Sequence, residues 1–381
     1  MKVLLLSFVL LISTSCTATR LGNKPEIFTM IDQLVENGKT PGIQYVAFKE
    51  KEILINKAAG LSEIKSKNEM SQNTKLMAYS MTKTFIAILA LQLHEQGKIN
   101  IEDEVTKYLS DNPYGKKLKI KHLINQTSGI PNPIPLKWAH LRSKDKNFDE
   151  KEAFWIRVKE NSVLDFTPGE KYSYSNISYA MLGQILEFVS KKPLAELFNE
   201  QIKSPLGISP NNLRFDYLDN EQYAVGYLKR WSFINFAKYF VVDSKMYSDY
   251  EDGWLRFNQH NVDYKAMGGL ITNAESVAMV LQDILKSESK LLKPETKKLL
   301  FKIAKNNEGE EIEMTLGWHV GELHGKKFYF KEGGGAGFHC EMRIYPDKKL
   351  GSVVMTNSTT FDVKGFLNKV DGGYKLKKDL L

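Results

Sequence analysis

Between Thr84 and Gln96 the chain carries Phe85, Ile86, Ile88, Leu89, Leu91 and Leu93, and Gly97 closes the run. The spacing predicts a helix, yet apolar residues lie on nearly every side of it. A helix of this kind cannot rest on a surface. Whatever fold forms must wrap protein around a central helix, and 381 residues supply enough chain for one large domain or two lobes sharing an interface.

The segments on either side suggest how. Ile27, Met30, Ile31 and Leu34 have helical spacing and stop near Gly38. Pro41-Gly42 introduces two short apolar runs, Ile43–Phe48 and Glu52–Ala58, that read as a hairpin. Helices and loops then continue to about Ala304, including Ile177–Val189 and Ala274–Leu285. Strand-like alternation returns at Met314–Val320, Lys327–Phe330, His339–Tyr345 and Gly351–Thr356, and a last helix begins near Phe361. The economical assembly is one sheet built from both ends of the chain, with a helical lobe inserted between.

Composition excludes several classes. The 42 % hydrophobic and 26 % charged content fits neither a disordered nor a collagen-like chain. Two cysteines, Cys16 and Cys340, cannot make a disulfide framework or a Cys-rich metal site. The net charge of +8 comes from lysines scattered among acids, which reads as a solvated surface rather than an anion-binding block. At the start, Lys2, the apolar run Val3–Ile12 and Ser13-Thr14-Ser15-Cys16 describe a secretory signal, too short to span a bilayer as a permanent helix. Small residues directly before a cysteine resemble a bacterial lipoprotein signal. Residues 1–15 are then cleaved and Cys16 carries the lipid, giving an exported, membrane-anchored protein; a soluble secreted one is the alternative. Cys340 would be left as a packed thiol.

Acyl transfer through a covalent intermediate needs a nucleophile, a base within hydrogen-bond reach and donors for the oxyanion. Ser80-Met81-Thr82-Lys83 supplies the first two if Ser80 opens the buried helix, because residues i and i+3 share a face. The same spacing recurs at Ser62, Ser143 and Ser287, but only Ser80 directly precedes a rigid core element. Tyr174-Ser175-Asn176 follows the turn Phe166-Thr167-Pro168-Gly169; a tyrosine can relay protons and an asparagine can orient an amide. Lys331-Glu332-Gly333-Gly334-Gly335-Ala336-Gly337-Phe338 sets a glycine cluster in a strand pattern, where backbone approaches something closely. The Walker pattern is missing, so a phosphate loop is a poor reading.

In this order the three elements resemble the S-x-x-K, Y-x-N and K/H-x-G motifs of the serine β-lactamase and penicillin-binding-protein superfamily, nearest its class C β-lactamase-like branch. Supporting matches are Pro41-Gly42, Leu123–Pro131, Phe166–Gly169, Pro205-Leu206-Gly207, Gly268-Gly269-Leu270 and Leu316-Gly317-Trp318. The resemblance covers about residues 26–358 and leaves 359–381 as a tail. It implies an α+β fold of the β-lactamase/transpeptidase type, an antiparallel sheet from 26–60 and 312–358 flanked by helices, with an inserted all-helical lobe over about 75–305. It also implies roles. Ser80 is the nucleophile, Lys83 helps remove its proton and Tyr174 relays protons to the leaving group and the deacylating water. Asn176, Lys331 and Gly333 bind substrate, with Lys331 lowering the Tyr174 pKa, and the backbone N–H groups of Ser80 and Gly334 form the oxyanion hole. No metal or organic cofactor is implied.

Two positions depart from the pattern. Glu332 stands where Thr or Gly is usual; in β-lactam-recognising members the hydroxyl there helps bind the substrate carboxylate, which a glutamate would repel unless it points away. Gln126 replaces a histidine common before the Thr-Ser-Gly turn, a structural position. The expected substrate is a small molecule or a peptidoglycan-derived D-peptide, a β-lactam or an ester, with carboxylesterase activity as one alternative and a non-catalytic muropeptide-binding protein as another. No nucleic acid partner is expected, and oligomeric state is not legible. The seven histidines show no metal spacing. The aromatic segment Trp231–Trp254 reads as packing within the helical lobe or as an apolar flap over the acyl pocket.

Overall fold

The computed structural model describes residues 24–133 and 138–373. The expected signal segment, Cys16 and the last residues of the tail lie outside them. Seven strands form one antiparallel sheet in the order His319–Leu323, Lys326–Gly335, Phe338–Tyr345, Leu350–Thr356, Gly42–Lys49, Glu52–Glu63, Asn68–Glu69. The two ends of the chain meet at its centre, where Ile43 pairs with Thr356 and Lys49 with Leu350.

Strand alternation sorts side chains to two cores. Ile43, Tyr45, Ala47 and Val354 face the helices Lys24–Glu36 and Val363–Gly373 and pack with Ile27, Ile31, Phe366 and Leu367. Val46, Phe48, Val353 and Met355 face the other way and join the large core that surrounds the helix Thr82–Glu95. Every residue of that helix from Thr82 to Leu93 is buried, as its uninterrupted apolar surface requires. The fold class and the terminal sheet therefore stand as the sequence led us to expect.

Two details differ. The inserted region is not all helical: Leu76–Met77 pairs with Ile271–Thr272, Ala139–Leu141 with His260–Val262, and Tyr227–Lys229, Trp254–Phe257 and Tyr247–Glu251 form a small sheet. Segments of two to five residues carry too little alternation to announce themselves. The tail, moreover, contributes the helix Val363–Gly373 to the fold. Buried Arg343 ties it down, donating to Glu341 on its own strand and to Asn368 Oδ1 of the helix at 2.8 Å.

Candidate active site

Ser80 lies in a one-turn 3-10 segment, Tyr79–Met81, that feeds directly into the buried helix. Tyr79 enters this turn with φ +43°, a left-handed conformation that is costly for a bulky residue. Its ring holds it there. It packs against Gly335, where an added Cβ would meet the ring at 2.4 Å, and its hydroxyl lies 2.8 Å from His260 Nε2. The rigid helix behind the serine and the anchored ring before it fix the position of the Ser80 hydroxyl.

Lys83, one turn on, reaches back to Ser80 Oγ at 3.1 Å. It also bonds Asn176 Oδ1 at 2.8 Å and the carbonyl of Met267. Those two partners only accept. A neutral amine donates one N–H to each and turns its lone pair to the Ser80 hydroxyl, whereas an ammonium would have to donate to all three. Burial, with the Lys331 charge adding to it, holds the Lys83 pKa well below the usual lysine range. The neutral form is the one the site favours.

Tyr174 donates to Ser80 Oγ at 2.6 Å, so an O–H···Oγ–H···Nζ chain links tyrosine, serine and lysine. The loop that carries it hangs on Gln126. Ser173 N donates to the Gln126 carbonyl at 2.9 Å and Ser175 N to its side-chain Oε1 at 2.6 Å. Ser175 then caps the helix Asn176–Ser190, which brings Asn176 to Lys83. Asn132 completes the brace by accepting from both Asn176 N and Nδ2 at 3.1 Å. Asn176 thus uses its amide to hold Lys83 and Asn132 while still bordering the cleft.

The third motif closes the site from the sheet. Lys331 is 1 % exposed, sits 5.1 Å from the Tyr174 ring centre and lies 3.2 Å from His319 Nε2. Burial pushes its pKa down to about 7, against a smaller opposing pull from Glu332. The expectation that Lys331 lowers the Tyr174 pKa is not met. Burial raises Tyr174 instead, only partly offset by its bond to Ser80, so the phenol keeps its proton. Gly333, expected to bind substrate, has a structural setting of its own. It is buried under the nucleophile turn, where a Cβ would strike the Ala78 carbonyl at 2.1 Å and approach Ser80 N at 3.0 Å. Gly334 and Ser80, whose N–H groups are the expected oxyanion donors, both border the cleft. Glu332 alternates to the opposite side of the strand from Lys331 and pairs with His339 Nε2 at 2.6 Å. That partner holds the Glu332 carboxyl below its ordinary range.

Cys340 is buried, its thiol 3.2 Å from the Ala78 and Gly333 carbonyls, a packed residue as expected. In the aromatic segment, Trp231 and Phe233 are 77 % and 87 % exposed, which rules out lobe packing for those rings. Sequence reasoning missed Tyr79, His260, Asn132 and the Met267 carbonyl. The glycine run did signal a close approach, and the Tyr79 ring is what approaches.

A serine at the mouth of a buried helix, a desolvated lysine one turn on and a tyrosine from the inserted lobe, all set against an antiparallel sheet, define a β-lactamase and penicillin-binding type of fold. The chain belongs to the Beta-lactamase family, whose profile it matches over residues 27–370. It is similar to Protein flp of Staphylococcus aureus strain MW2, 28 % identical over 210 residues, which cover 54 % of this chain and 41 % of flp. The match therefore spans well under half the length of that relative. It is also similar to Penicillin-binding protein 4* of Bacillus subtilis strain 168, 24 % identical over 80 % of this chain and 66 % of that protein. D-amino acid amidase from Ochrobactrum anthropi SV3, solved with L-phenylalanine, shares the fold with a TM-score of 0.77 at 17 % identity, over 93 % of this chain and 99 % of the amidase.

Proposed function

We propose that this protein is a serine hydrolase that transfers the acyl group of an amide or ester to water through a Ser80 ester. One observation carries the reading: Ser80 Oγ lies between a protonated Tyr174 and a desolvated Lys83 whose other partners only accept. Lys83 Nζ takes the Ser80 proton as Oγ attacks the carbonyl carbon. The oxyanion faces the Ser80 and Gly334 N–H groups, each worth about 3 kcal/mol of barrier in sites of this kind. Tyr174 gives its proton to the departing nitrogen or oxygen, and the proton that Lys83 took from Ser80 returns to Tyr174. Water then cleaves the ester with the proton flow reversed.

The names of Penicillin-binding protein 4* and D-amino acid amidase support envelope D-peptides, β-lactams and amides as substrates; a carboxylesterase uses the same machinery. The sequence of residues 1–16 supports export and a lipid anchor at Cys16. The test is labelling with an active-site fluorophosphonate, followed by peptide mass mapping. The expected adduct sits on Ser80 and is missing from Ser80→Ala. Folded wild-type protein that takes no label would overturn the reading in favour of a binding protein.

A further inference from the structure

Beyond Ser80 lies a small cleft of about 80 Å³. Its wall is made from three separate pieces of the inserted lobe. Trp138 and Ala139 lie beside Val262, across the paired strands Ala139–Leu141 and His260–Val262. Met267 comes from the turn that also receives Lys83. Val242 and Met246 come from the segment after the helix Phe233–Val241. Met246 is fixed rather than loose: Asn258 N donates to its carbonyl at 2.9 Å, and the Asn258 carbonyl is 2.8 Å from His260 Nδ1.

The polar rings in this wall are already satisfied. His260 Nδ1–H donates to Asn258, so its Nε2 accepts from the Tyr79 hydroxyl. Among the described residues that border the cleft there is no Lys, Arg, Asp or Glu. Lys83 and Lys331 are buried and do not border it, and Glu332 is turned to His339. A carboxylate or ammonium on the acyl group would leave water and meet no counter-charge, whereas methylenes would gain by burial.

We infer that this cleft selects an uncharged, apolar acyl group, and that Val242 and Met246 set its preferred length. The inference rests on the acyl-enzyme reading above and narrows its substrates. It is tested by kcat/KM of the full chain, with Ser80→Ala as background, on p-nitrophenyl acetate, butyrate and hexanoate and on mono-p-nitrophenyl succinate. The expected series rises by about two- to fourfold per added methylene, and the succinyl ester falls about a hundredfold below butyrate. Val242→Ala moves the preferred length upward. Met246→Lys narrows the gap between hexanoate and succinate by about tenfold or more. If Met246→Lys fails to fold, the wild-type series and Val242→Ala decide. A flat or falling series, or a succinyl ester turned over as fast as butyrate, with Ser80-dependent turnover intact, overturns this inference and leaves the acyl-enzyme reading standing. A protein that takes the fluorophosphonate but turns over none of the esters does the same. No label and no Ser80-dependent turnover overturns both.

Discussion

At the scale of single residues, the site runs on desolvation. Lys83 and Lys331 are enclosed lysines whose charges repel each other, and burial drives both toward the neutral amine. Only a neutral Lys83 can receive a proton from Ser80, so the burial that costs stability prepares the base. For Lys331 the cost has a definite pH window. Its folded pKa is about 7, against about 10.4 for a free lysine. Between those values the unfolded chain binds more protons, so this group raises stability with pH by about 1.4 kcal/mol per unit. Below pH 7 both states are protonated and the full penalty is present. Lys331→Met therefore stabilises the protein most at pH 6, and the gain shrinks toward pH 10. Urea unfolding of both proteins across that range checks it, and a gain independent of pH would contradict a lowered Lys331 pKa.

At the scale of elements, the nucleophile turn and the Lys326–Gly335 strand are pressed together. Ala78 and Ser80 lie so near Gly333 that no side chain fits. Gly333→Ala should push the strand off the turn, shift Ser80 away from Tyr174 and cut acylation by about a hundredfold, a misplacement effect. A fluorophosphonate labelling rate equal to wild type would show that the approach has slack. This contact also marks how far the sequence could be read. The S-x-x-K pair, the Tyr-x-Asn triplet and the glycine cluster were visible because each has a chemical reason for its residues. The path of Glu332 was not, since its direction depends on His339 in the neighbouring strand, a partner known only once register is set. Gln126 looked structural, and it is, but that it carries both ends of the Tyr174 loop follows from its positive φ and buried amide, which no local pattern announces.

At the scale of the molecule, one sheet built from both ends of the chain holds the inserted lobe against itself, and the proposed reacting groups sit at that junction. Ser80, Lys83, Tyr174 and Asn176 come from the insert, while Lys331 and Gly334 come from the sheet. The apolar helix at the centre made this arrangement legible, because a helix buried on all sides demands two partners. The short strands that shape the cleft were not legible, since two to five residues fall below any periodic signal. In the proposed mechanism Lys83, neutral in the folded protein, takes the Ser80 proton. That transfer is tested most directly by the rate at which a fluorophosphonate adds to Ser80, followed by intact mass in wild type and in folded Lys83→Ala. The rate in the variant is expected to be lower by about 10²–10⁴-fold, the usual worth of a positioned base. Equal rates in the two proteins would remove Lys83 from the mechanism.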